Sequence, residues 1–119
     1  MIQKKFRLKA EEIKIVLNKG KKIYSPYFSL YYLLNNLPYS RIGVIINRKI
    51  SKLAVERNYM KRIIKLVFRN FFLKEKENKK NFKKLKEYDI VIVGKKRFLK
   101  KDFLKIENEL ISLFRKVNQ

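Results

Sequence analysis

The sequence contains no cysteine and no histidine. Without cysteine there is no disulfide framework, no thiolate nucleophile and no thiolate metal site. Without histidine the chain lacks the usual general base near neutral pH and the commonest metal ligand. Acids are scarce, with Asp+Glu 10 against Lys+Arg 32. Glu11-Glu12, Glu75, Glu77, Glu87, Glu107 and Glu109 are scattered among lysines. Phosphodiester hydrolysis by a protein often needs paired carboxylates holding two metal ions. No such cluster stands out, so the sequence argues against an autonomous nuclease site. Asp89 is a lone carboxylate opening an apolar strand, and a structural role suits it better than metal ligation. No apolar run has the length needed to span a bilayer. The opening MIQKKFRLKA is basic but leads into no apolar stretch of a secretion signal. The expectation is a cytoplasmic protein with no membrane partner.

What the chain has in abundance is positive charge, +22 over 119 residues. Self-repulsion of that size destabilises a compact state, and few enzymes of small molecules carry it. The expected partner is therefore a nucleic acid, with no small-molecule substrate. AT-rich coding would inflate lysine, but it would inflate glutamate too, and acids stay at 10. Hydrophobic residues make up 46%, enough for a core, so this is not a disordered basic tail. The length predicts one domain, residues 1–119.

The elements follow from periodicity and punctuation. Ala10 to Lys19 reads as a helix with Ile13, Val16 and Leu17 on one face and Gly20 as its stop. Residues 20–24 are a candidate short strand. Ser25-Pro26 breaks the chain. Tyr27 to Leu34 and Arg41 to Asn47 read as strands around an Asn35-Asn36-Leu37-Pro38 turn, the second of them apolar enough to be buried on both faces. A basic helix follows, to about Phe72. Asp89 to Val93 is a further strand, and Lys101 to Val117 carries Phe103, Ile106, Leu110, Leu113, Phe114 and Val117 at helical spacing. One sheet with helices packed on it, α+β in kind, is the natural architecture.

The basic helix is the most informative segment. AVERNYMKRIIK, residues 54–65, places Arg57, Asn58, Lys61, Arg62 and Lys65 on one stripe of a helix. Met60, Ile63, Ile64, Val67 and Phe71 form the opposite, apolar stripe. Arg69 extends the cationic edge. Like charges at i, i+4 repel, so an unmixed stripe points to a polyanion. A membrane-surface helix would need an exposed apolar face, and here each apolar face is needed for the core. A small basic ribosomal protein shares all these features.

The run RIGVIINRKISKLAVERNYMKR, Arg41 to Arg62, resembles the central block of the protein subunit of bacterial ribonuclease P. In that family a strand ends in two basic residues, here Arg48-Lys49, and A-V-x-R-N-R-x-K-R opens a helix. Ala54-Val55, Arg57-Asn58 and Lys61-Arg62 match it; Tyr59 stands where the family usually has a second arginine. Phe6 to Gly20, Phe28 to Leu33, Asp89 to Lys96 and Leu110 to Val117 resemble the family's flanking segments more weakly. The resemblance implies a mixed sheet of about four strands in the order αβββαβα, with a left-handed crossover carrying the basic helix. Pattern alone would not choose that hand, since about 98% of parallel crossovers are right-handed.

The resemblance also implies partners and site residues. The partners are ribonuclease P RNA, with one protein per RNA, and precursor tRNA. The holoenzyme is an endoribonuclease that leaves the mature tRNA 5′ end; its RNA binds Mg²⁺ and cleaves, and this chain holds no cofactor alone. RNA contact is expected at Arg48, Lys49, Arg57, Asn58, Tyr59, Lys61, Arg62, Lys65 and Arg69. A cleft for the single-stranded 5′ leader is expected at Ile13, Leu17, Tyr31, Lys95 and Lys96. Family members often carry phenylalanines where Ile13 and Leu17 stand. On pattern alone Tyr31 fits a core as well as a cleft. Residues 74–87, KEKENKKNFKKLKE, read as a prolonged helix end and a mobile loop.

Overall fold

The computed structural model describes residues 3–49, 52–73, 87–95 and 103–117. A 3-10 turn at Lys4–Phe6 leads into α1, Ala10–Lys19. The strands are β1 (Lys21–Tyr24), β2 (Phe28–Leu34), β3 (Arg41–Ile45) and β4 (Tyr88–Gly94). Helix α2, Ala54–Phe68, follows β3 and runs on into a π-helical turn at Arg69–Leu73. Helix α3, Phe103–Val117, follows β4. The expected αβββαβα order holds, and β1 occupies the stretch with the weakest strand signal. The helix end and loop expected over residues 74–87 lie outside the described residues except for Glu87. No described helix is long and apolar enough to cross a membrane.

Local chemistry explains the ends of α1. The Glu12 carboxylate accepts a hydrogen bond from the Lys9 backbone N–H at 2.8 Å, satisfying a donor that the first turn leaves open. Gly20 closes the helix in extended backbone, its N–H donating to Val16 O at 2.8 Å. A Cβ there would sit 2.5 Å from Val16 O and 2.8 Å from Tyr32 O. Close approach therefore requires glycine, with no left-handed turn involved.

The sheet runs β1-β2-β4-β3. β1 and β2 pair antiparallel, as do β2 and β4, whereas β3 and β4 are parallel. β4 thus separates two strands that are consecutive in sequence, and α2 rides on the crossover from β3 to β4. The strand read as buried on both faces, β3, is an edge strand with Val44 and Ile45 only half-buried. β4 is the interior apolar strand instead. A continuous apolar run does not reveal which strand the chain later inserts beside it. The free edge of β3 meets the N-terminal segment, where Leu8 N–H donates to Ile42 O at 2.9 Å.

Alternation divides the strands between two faces. Phe28, Leu30, Ile42, Ile90 and Ile92 face a large core with Met60, Ile63, Ile64, Val67 and Phe68 of α2 and Ile106, Leu110, Leu113 and Phe114 of α3. Phe68 and Phe114 meet edge to face, with ring centroids 6.2 Å apart. The other face is smaller. There Leu8, Val16 and Val91 are buried, with Ile13, Leu17, Tyr31, Leu33, Ile45 and Val93 packed against them. A Cβ on Gly43 would lie 2.8 Å from Ile13 Cγ1, so glycine lets α1 come down onto β3.

Candidate RNA interface

Met60, Ile63, Ile64 and Val67 of the expected apolar stripe are buried, joined by Phe68, while Phe71, in the π-helical turn, is half-buried. The opposite face borders a groove of about 580 Å³ lined by Asn58, Lys61, Arg62, Lys65, Leu66 and Arg69. The seventh lining residue is Arg7, which lies next to the β3 edge. No carboxylate lines the groove. Asn58, Arg62 and Arg69 are exposed and Lys61 and Lys65 half-buried. Burial holds the Lys65 ammonium below the ordinary lysine range, and the charges of Arg7 and Lys61 add to the effect.

Five of the nine expected RNA-contact residues line this groove. Arg57 lies at its margin, where its Nη1 donates to Lys52 O at 3.0 Å across the start of α2. Tyr59 is 60% exposed and does not line the groove. Arg48 and Lys49 are exposed in the turn after β3, where Lys49 N–H donates to Asn47 Oδ1 at 3.0 Å.

The expected cleft residues Ile13, Leu17 and Tyr31 come together on the α1 face of the sheet, all half-buried. Tyr31 packs on the small core and keeps part of its ring accessible. Lys95 anchors beside it, its Nζ donating to Ser25 O at 2.8 Å and its N–H to Tyr27 O at 2.9 Å. Lys96 lies outside the described residues.

The buried carboxylates serve the scaffold. Asp89 takes Arg41 Nε at 2.8 Å and Nη2 at 2.6 Å, and accepts Asn35 Nδ2 at 2.9 Å. Arg41 also pairs with Glu12, tying α1 to the sheet. The Ser40 hydroxyl donates to Glu87 and accepts the Tyr88 N–H at 3.0 Å. Among the described residues, no group of three or more Asp, Glu, His or Cys is arranged to hold a metal ion.

The family model described as Ribonuclease P matches residues 2–118. The chain belongs to the ribonuclease P protein family. It is 34% identical over 120 residues to the ribonuclease P protein component of Petrotoga mobilis, covering 97% of this chain and 93% of that relative. The solved RNase P protein of Thermotoga maritima matches at TM-score 0.73 and 28% identity, covering 92% of this chain and 96% of that one. A Staphylococcus aureus RNase P protein mutant matches at TM-score 0.79 and 22% identity, covering 96% and 89%, and shows the fold alone. As a ribonuclease P protein component, the chain is a subunit of a tRNA 5′-processing ribonuclease and a partner of ribonuclease P RNA.

Sequence reasoning about this ribonuclease P protein did not single out three residues that the structure places beside the expected ones. Arg7 was read only as part of a basic opening; its place in the groove depends on the bridge between Arg7 and Ile42. Lys22 and Tyr24 belong to a strand too short to give a clear pattern. Lys22 becomes visible only through the pairing register, which sets it opposite Tyr31.

Proposed function

We propose that this chain docks on ribonuclease P RNA through the α2 groove, holds the 5′ leader of precursor tRNA on the α1 face, and leaves cleavage to the RNA. The observation that carries the reading is the acid-free groove in which Arg7, Lys61, Arg62, Lys65 and Arg69 converge with Asn58. Phosphates spaced along an RNA strand suit such a row, and each neutralised phosphate releases counterions. Two RNA molecules repel each other, and a cationic protein between them lowers that repulsion. The holoenzyme's Mg²⁺ belongs in this reading to the RNA. Among the described residues the donors do not fit the ion: no group of three or more is arranged to hold it, Asp89 is engaged by Arg41 and Asn35, and Glu87 by Ser40. One protein per RNA in the cytoplasm completes the proposal.

The test is cleavage of a precursor tRNA by ribonuclease P RNA at low magnesium, with and without the chain. The protein alone should cut nothing, and should stimulate the RNA most where Mg²⁺ is too dilute to screen phosphates. Cleavage by the protein freed of RNA, or no stimulation at any magnesium concentration, overturns the reading. Co-sedimentation with ribosomal subunits in place of stimulation would favour a ribosomal role.

A further inference from the structure

The outer edge of the sheet carries an aromatic and cationic group beyond the cleft residues. Tyr24 ends β1, an edge strand, and is 63% exposed. The β1–β2 register sets Lys22 opposite Tyr31 and Tyr24 opposite Ser29. Alternation then puts Lys22, Tyr24 and Tyr31 on one face of the sheet. Lys22 Nζ lies 4.4 Å from the Tyr24 ring centroid and 5.0 Å from that of Tyr31. One ammonium touching both rings makes the rings near neighbours. Lys95 Nζ stands 5.6 Å from the Tyr24 ring, held by its bond to Ser25 O. Hydrogen bonding to Tyr31, then to Tyr24, holds Lys22 above the ordinary lysine value.

An edge strand needs charge to resist pairing with another chain, and lysines supply it. Lys21 and Lys22 meet that need without an exposed tyrosine beside them. What an open ring between two ammoniums does suit is an unpaired nucleotide. The base stacks on the ring while a flanking phosphate meets the cations. A duplex hides its base faces in the helical stack and cannot use Tyr24 this way.

We propose that Tyr24, Lys22 and Lys95 form a second nucleotide position for single-stranded RNA, adjoining Tyr31 and carrying the leader path to the sheet edge. The proposal rests on the reading of Tyr31 as a leader contact. It also gives the aliphatic Ile13 and Leu17 a counterpart: aromatic surface absent from α1 is supplied from β1.

The experiment measures equilibrium binding of the holoenzyme to mature tRNA and to precursor tRNAs with leaders from one nucleotide upward. Wild type is compared with Tyr24→Ala, Tyr24→Phe and Tyr31→Ala, and melting temperature checks each fold. Tyr24→Ala should bind long-leader precursors roughly 5- to 150-fold more weakly, the range for losing one base stack. Mature tRNA and the one-nucleotide leader should bind as before, and Tyr24→Phe should retain wild-type affinity. If Tyr24→Ala binds every leader like wild type while Tyr31→Ala loses affinity, the second position is wrong and the leader reading stands. If both alanine variants lose equally for precursor and mature tRNA, or neither loses at all, both ideas fail together.

Discussion

Arg41 shows how a basic residue in this chain can be structural. It is one of 32 Lys+Arg residues, yet its guanidinium reaches inward to Asp89 and Glu12. Hydrogen bonding to Asp89 first, and then to Glu12, raises the guanidinium's already high pKa further. Glu12 is a member of the group that responds to acid. Its pKa is lowered below the usual 4.5, first by the Lys9 backbone N–H and then by Arg41, against the opposing effect of burial. A carboxylate with a depressed folded pKa contributes stability above its unfolded value, and that stability is lost as pH falls through the folded value. Thermal melts should therefore show a fall in melting temperature below about pH 4.5, to which Glu12 contributes. Glu12→Gln should lower the melting temperature at pH 7 and make its acid decline shallower. An unchanged decline would show that Glu12 takes no part in it.

At the scale of an element, α2 divides its labour by face. One face is core, through Met60, Ile63, Ile64, Val67 and Phe68. The other holds cations close together, and the half-buried Lys65 is held below the ordinary lysine range by burial and by Arg7 and Lys61. For a lysine the sign is opposite to that of Glu12. The folded state disfavours the charged form, so the penalty is present at neutral pH and is relieved as pH rises through the lowered pKa. Lys65→Met removes the penalty and keeps the apolar stem. The free protein should melt higher, while affinity for ribonuclease P RNA falls and its salt dependence weakens by about one unit. Melting curves and binding titrations at several salt concentrations check both halves. A variant that melts lower, or binds with an unchanged salt slope, would remove Lys65 from the interface. Tyr59 belongs to neither division: its exposed ring does not line the groove. The position usually held by the family's second arginine thus carries no charge here, leaving that charge to the groove.

For the whole molecule, +22 is a term in the binding equilibrium, and only part of it should be used. Cations lie along much of the chain, though β2 and β4 carry none, whereas the groove gathers five of them. If those five meet phosphates, the logarithm of affinity for ribonuclease P RNA should fall against that of salt concentration with a slope of roughly −3 to −5. A slope near −1 would mean that the groove does not meet the phosphate backbone. A slope far beyond −5 would mean that charges elsewhere share the contact.

Composition and periodicity by themselves determined most of the elements and the character of the partner. Ala10 to Lys19 is helical because its apolar residues recur at helical spacing before a glycine. The AVERNYMKR block marks the candidate interface because that spacing gathers cations on one face wherever the helix is placed. Both are local properties, set by residues within a few turns of each other. Tertiary structure decided what local spacing cannot carry. It inserted β4 between β2 and β3, making the apolar β3 an edge strand. It brought Arg7 to the α2 groove from some fifty residues away, through a single bridge to Ile42. It turned Arg41 inward onto Asp89 and set Lys22 against the rings of Tyr24 and Tyr31. Strand order, register and long-range ion pairs are choices among distant partners, and a linear sequence lists those partners without saying which of them meet.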